Sequence, residues 1–259
     1  MLRPRLITSL LVDNNMHLVK TTCFKDRNYI GDPLNAAYIF SDFEVDELLV
    51  LDIDASQKNN HIKYDFVEAL SHFTTVPLTV GGGISKLDQI HDLLALGVER
   101  IAISETLAYD FRFLEEAANR FGSSSITVII NVKRESNYIA KFGRFNNKQD
   151  IFSLSKQCQE AGAGELVINH MDKEGTFSGF DINLFKTLNE YLSIPIVALG
   201  GCGCVSHIEE LLQATPISGI ACGSHFVYAP GTRDVLLNYS DTSYFMNRIL
   251  TNKITNYYK

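Results

Sequence analysis

Four apolar runs in this chain end in residues suited to holding an anion. Gly81-Gly82-Gly83 follows LTV, and Ser104-Glu105-Thr106 follows RIAI. Gly200-Gly201-Cys202-Gly203 follows IVAL, and Cys222-Gly223-Ser224 closes the fourth run. Glycine lets backbone N–H groups approach a ligand closely, and Ser or Thr hydroxyls add donors. The chemistry these stretches offer is capture of a phosphate-bearing small molecule, at Gly201, Gly223 and Ser224 and again at Gly82, Gly83 and Ser104. The same glycines also read as tight strand-to-helix turns. At the second of these places Glu105 adds a negative charge where an anion would sit. Glu174 and Gly175, in the polar loop Asp172–Thr176, could hold a sugar hydroxyl or close over a phosphate; read as a plain turn, Gly175 supplies its backbone angles. Lys20 could fold over a bound phosphate or stand in solvent. Asp52 and Asp54 flank Ile53 on alternating faces, which turns one of them toward the same ligand.

Other chemistries find less support. The seven histidines form no HxH or HExxH pair, and His170 alone reads as structural. Cys202-x-Cys204 with Cys222 supplies no fourth ligand, so these are expected to be small buried thiols, with no metal and no cofactor. No Gly-x-Ser-x-Gly or dinucleotide fingerprint stands in its required context.

The elements that must position these residues alternate along the chain. Strands are expected at Arg5–Val12, Leu48–Ile53, Leu78–Val80, Arg100–Ser104, Ile126–Val132, Glu165–Asn169, Ile196–Leu199 and Gly219–Cys222. Asp32 caps a helix over Pro33–Phe43, Ser85 with Asp88 resembles a capping box, and Gly97 stops the helix that follows. Asp150 and Asp181 open later helices, and Ser206 opens His207–Ala214. Tyr244, Phe245, Ile249 and Leu250 suggest a terminal helix within Asp241–Lys259. Val12–Asp32 is a long polar loop, more often functional than idle at that length, and Asn137–Lys148 is a second irregular stretch.

Eight short apolar strands alternating with helices give an α/β chain, a closed (β/α)8 TIM barrel of one domain. Pro77 and Pro195 stand 118 residues apart, and the same spacing carries Glu47-Leu48 onto Glu165-Leu166, Asp54 onto Asp172 and Thr106 onto Ser224. The barrel is therefore read as a duplication, with half-barrels over 1–122 and 123–259. Ligands of such barrels sit at the C-terminal strand ends, where the glycines lie. At the opposite ends stand Arg5, Glu47, Arg100 and Glu165, four charges at strand starts. Closed into a barrel they would meet as a ring, and as two cations and two carboxylates they could serve only as a salt-bridge plug.

The chain has 259 residues and a net charge of −7, which argues against nucleic acid or an anionic membrane as a main partner. No apolar run approaches the roughly 18 residues of a membrane span. Five cysteines form no disulfide framework, so a reducing, cytoplasmic location is expected.

VDELLVLDIDAS, LTVGGGI, AGAGELVINHMDKEGTFSGFD and ALGGCG make the chain resemble the cyclase subunit of imidazole glycerol phosphate synthase, a lyase-type barrel of histidine biosynthesis. The resemblance runs from Arg5 to about Tyr239. It implies two phosphate sites and a glutaminase subunit docked on the N-terminal face, with the four-charge ring acting as an ammonia gate. Arg100 replaces the lysine that the family has in that ring. The family also places a catalytic Asp at the end of the first strand and another at the end of the fifth. Leu11 and Asn131 stand there in this chain, and neither can act as a general base. YIGDPLNA, the Leu-Leu-Val end of the first strand and LLNYSDTS are more similar to cyclase-like proteins of surface-polysaccharide gene clusters. That branch implies a heterodimer with a glutaminase that delivers ammonia, in partnership with a separate sugar amidotransferase, for O-antigen-type lipopolysaccharide biosynthesis. An ordinary histidine-pathway cyclase and a non-catalytic scaffold are the alternatives; Leu11 and Asn131 oppose the first, the charged ring the second.

Overall fold

A computed structural model describes residues 3–239 apart from 59, 144–148 and 230. Twelve strands form one sheet: β1 (Arg5–Val12), β2 (Leu18–Lys20), β3 (Asn28–Gly31), β4 (Glu47–Asp52), β5 (Leu78–Gly81), β6 (Arg100–Ile103), β7 (Ile126–Arg134), β8 (Tyr138–Lys141), β9 (Gln149–Asp150), β10 (Glu165–His170), β11 (Ile196–Leu199) and β12 (Gly219–Cys222). Eight of them pair in parallel in the order β10-β11-β12-β1-β4-β5-β6-β7, and β7 pairs with β10 to close the barrel. All eight expected strands are therefore present, and the fold is a TIM barrel. Helices α1 (Pro33–Asp42), α2 (Tyr64–Phe73), α3 (Leu87–Ala95), α4 (Arg112–Phe121), α5 (Ile151–Glu160), α6 (Ile182–Tyr191), α7 (Val205–Ala214) and α8 (Ser224–Val227) connect the strands. One large cluster of buried residues lies between sheet and helices, among them Leu10, Phe40, Leu70, Ile101, Leu166 and Phe185.

Local chemistry sets the helix starts. The carboxylates of Asp32, Asp150 and Asp181 accept the backbone N–H of Asn35, Ser153 and Leu184, which satisfies a first-turn donor in each case. Two starts differ from expectation. At α3 the reciprocal cap is made by Gln89, whose Oε1 accepts the N–H groups of Ser85 and Lys86, because the helix begins one residue after Lys86 and Gln89 is then the third helical position. At α7 the helix begins at Val205, not after Ser206, with Cys204 extended before it.

The irregular stretches also carry structure. Val12–Asp32 folds as an antiparallel pair, β2 on β1 and β3 on β2, so that this long loop continues the barrel wall over its mouth. Within Asn137–Lys148, β8 pairs with β7, and 144–148 lie outside the described residues. The terminal helix expected within Asp241–Lys259 also lies outside them, as does Leu236–Ser243 beyond Tyr239.

α1, α2 and α3 start 118 residues before α5, α6 and α7. The ladder corrects that spacing at one place. Gly81 pairs with Ala102, and Leu199, 118 residues after Gly81, pairs with Ala221. The next turns follow suit, a 3₁₀ turn over Glu105–Ala108 and α8 over Ser224–Val227. Strand register thus matches Glu105, not Thr106, to Ser224.

Candidate functional site

Alternation along the strands sorts the interior into layers, because every second residue faces the barrel axis. Arg5, Glu47, Arg100 and Glu165 form the first layer. Ile7, Leu49, Ala102, Ile129, Val167, Val197 and Ala221 form an apolar lumen above it. Ser9, Leu51, Ser104, Asn131, Asn169 and Leu199 follow, and these line a cavity of about 380 Å³ at the C-terminal mouth.

The first layer is a connected ion network. Glu47 is buried and accepts from both arginines: Arg5 Nη1 contacts its Oε2, and Arg100 Nη1 reaches the same oxygen at 3.1 Å. Arg5 Nη2 bonds Glu165. Thr79 donates its hydroxyl to Glu47 Oε1 at 2.6 Å, so both oxygens of that carboxylate are satisfied. Burial pushes the Glu165 carboxyl above its ordinary range, with Arg5 and Arg100 pulling the other way. Because barrel helices run against their strands, the helix C-termini lie on the same face as the ring. Phe43, which ends α1, and Phe73 and Tyr191, the last residues of α2 and α6, are exposed there.

At the mouth, Leu11 and Asn131 both line the cavity, and Asn169 Nδ2 approaches Asn131 Oδ1 at 3.4 Å. Lys20 is not solvated. It is fully buried, its ammonium donates to Ser9 O at 2.7 Å, and burial lowers its pKa to about 8 against the opposing pull of Glu174. Glu174 is buried in turn, and its carboxyl is pushed up by burial, with Lys20 opposing. A Cβ at Gly223 would stand 2.4 Å from Lys20 Nζ, so glycine there admits the ammonium to the end of β12. Ser224, next in sequence, has a buried hydroxyl with no hydrogen-bond partner among the described residues. Gly175 takes φ +71° and lies so close to Thr21 O that a Cβ would sit 2.3 Å away, which docks the β2–β3 loop onto the Asp172–Thr176 loop. Gly201 takes φ +106° against Gly179 O.

Gly82, Gly83, Ser104 and Glu105 line the other side of the cavity, and Gly201, Gly223 and Ser224 do not line it. Of the two aspartates after β4, Asp52 lines the cavity; burial raises its pKa, while the N–H groups of Asp54 and Ala55 donate to it. Asp54 takes Arg27 in a two-point pair at 2.7 and 2.6 Å. Sequence reasoning missed Arg27, which no local signal marks. Thr79, a lone hydroxyl in an apolar strand, could have been found from that pattern. His170 lies outside the cavity, its Nε2 3.4 Å from Asp181 Oδ2, and Tyr138 donates to the same oxygen at 2.9 Å.

The chain matches the family described as "Histidine biosynthesis protein" over residues 5–231. It is 41% identical over 244 residues, 92% of this chain and 96% of the relative, to a Leptospira borgpetersenii protein provisionally named imidazole glycerol phosphate synthase subunit HisF. A Vibrio vulnificus relative provisionally named subunit hisF3 is 37% identical over 249 residues, 94% of this chain and 95% of the relative. Imidazole glycerol phosphate synthase subunit HisF of Streptococcus mutans is 33% identical over 233 residues, 88% and 92% of the two chains.

Proposed function

The chain belongs to the histidine-biosynthesis barrel family, among the relatives of imidazole glycerol phosphate synthase subunit HisF, and from that premise we propose that it is the ammonia-receiving, cyclase-like subunit of a glutamine amidotransferase. The acceptor in this reading is a sugar of surface-polysaccharide biosynthesis, amidated with a separate sugar amidotransferase. The observation that carries the proposal is a contrast between the two barrel ends: all four charges stand together in one ion network, while Leu11 and Asn131 line the cavity in place of both acid–base carboxylates.

A glutaminase subunit docks on the N-terminal face, where exposed Phe43, Phe73 and Tyr191 surround the ring and supply the aromatic anchors that protein interfaces favour. Ammonia enters by displacement of a ring side chain and crosses the apolar lumen, which offers it no proton donor. It emerges at Asn131 and Asn169, neutral amides that leave it unprotonated and nucleophilic. Lys20, Gly223 and Ser224 hold the phosphate of the ligand. The barrel binds and orients; Asn131 cannot take a proton as a base. An imidazole glycerol phosphate synthase cyclase would need two general acid–base groups, each worth about 10²–10⁴-fold in rate.

The test is co-expression with candidate glutaminases. A stable heterodimer with faster glutamine hydrolysis is expected, together with no useful turnover of the histidine-pathway ribonucleotide in ammonium. Turnover comparable to a true cyclase, or no glutaminase binding, overturns the proposal.

A further inference from the structure

The two duplicated ends of the mouth have diverged. Strand register matches Ser104 to Gly223 and Glu105 to Ser224. At the β11–β12 end, Gly223 opens onto the Lys20 ammonium and the Ser224 hydroxyl is unpartnered among the described residues. At the β5–β6 end the matching side-chain hydroxyls are spent within the protein. Ser104 Oγ donates to Ile129 O at 2.8 Å and accepts the Gly143 N–H at 3.3 Å; the Thr106 hydroxyl bonds Ile84 O. The glycines at this end are required by the protein's own packing: a Cβ at Gly83 would stand 1.8 Å from Asn60 O, and one at Gly82 would stand 2.7 Å from Asp52 Cβ. Glu105 and Asp52 bring two carboxylates to the cavity wall here. Two cations line it as well, Lys141 and Arg27, and Arg27 is held on both oxygens of Asp54.

We propose that the barrel mouth takes a ligand with a single phosphate, held at the β11–β12 end beside the cavity, whose other end is neutral, bears hydroxyls and enters the cavity against Glu105 and Asp52. A second phosphate would face like charge in a partly enclosed site, whereas sugar hydroxyls donate to carboxylates and suit them. The inference rests on the phosphate reading above. The cavity volume, about 380 Å³, holds the sugar part of such a ligand.

The experiment is calorimetric titration of the full chain with fructose 6-phosphate, fructose 1,6-bisphosphate and inorganic phosphate. The monophosphate is expected to bind about tenfold more tightly than the bisphosphate, and inorganic phosphate to bind once. Glu105→Ser, which gives this end the residue of the other, and the isosteric Glu105→Gln are expected to raise bisphosphate affinity about tenfold. Both variants are to be checked for an unchanged melting temperature, and agreement between them separates charge from packing. Two inorganic phosphates bound, a wild-type preference for the bisphosphate, or no gain in either folded variant overturns this inference alone. If neither sugar phosphate nor inorganic phosphate binds the wild-type chain, the phosphate reading falls and this inference with it.

Discussion

Glu47→Ala removes the acceptor on which the ring converges. Arg5 and Arg100 both point at Oε2 of this buried carboxylate, and Thr79 bonds Oε1. Deleting one partner of a buried ion pair costs roughly 3–5 kcal/mol, because the remaining charge is left desolvated. Two features reduce that figure here. The arginine side chains are 25% and 27% exposed, so water reaches them, and Arg5 keeps Glu165. The expected loss is therefore about 2–4 kcal/mol, or a fall in melting temperature of roughly 5–12 °C for a chain of this size. Glu47→Gln keeps an acceptor for Thr79 and should lose about half as much. In an Arg100→Ala background the Glu47→Ala loss should shrink by about 1–2 kcal/mol, the coupling expected of neighbours in one network. Denaturant titration of the chain alone measures all three. A Glu47→Ala variant within about 0.5 kcal/mol of wild type would refute the reasoning. In the proposed assembly with a glutaminase the same variant should lose glutamine-dependent amidation while amidation with added ammonium is less affected. Equal loss of both would mean that the ring only stabilises the barrel.

Two further outcomes follow from titrating groups. Burial pushes the Asp181 carboxyl up, but bonds from His170, the Leu184 N–H and Tyr138 outweigh it and hold the pKa at about 2, below the ordinary 3.8. A depressed carboxylate stabilises the fold above its unfolded pKa and loses that contribution as pH falls through its folded one. Acid denaturation should therefore show about 1–2 kcal/mol lost between roughly pH 5 and 2 that Asp181→Asn, which retains a helix-capping side chain, does not show; matching pH profiles for the two proteins would count against this network. Lys20 is charged below its pKa of about 8 and neutral above it. Sulfate, which does not titrate in this range, should bind progressively less well as pH rises through 8, and Lys20→Arg should lose that midpoint; a flat profile in wild type would remove Lys20 from the anion site.

What the sequence alone determined was whatever depends on neighbours along the chain. Apolar strands set off by glycine, the Asp32, Asp150 and Asp181 caps, and charged residues at strand starts are local patterns, and parallel strands joined by helices leave few ways to close. The ring could be anticipated because residues at the start of every strand must meet at one mouth. Leu11 and Asn131 were legible for the same reason, since a strand end fixes its place in the barrel. Tertiary structure decided everything set by register and by approach across the mouth. Strand pairing matched Glu105 to Ser224, one position away from the match that sequence spacing alone suggests. The β2–β3 hairpin carried Lys20 out of solvent to Ser9 and Gly223, and Arg27 to Asp54. Ser104, a free donor in the sequence, has its hydroxyl committed to Ile129 O on the neighbouring strand. Hydroxyls, ammonium groups and carboxylates take their character from what desolvates and pairs them, and at this mouth many of those partners come from distant parts of the chain.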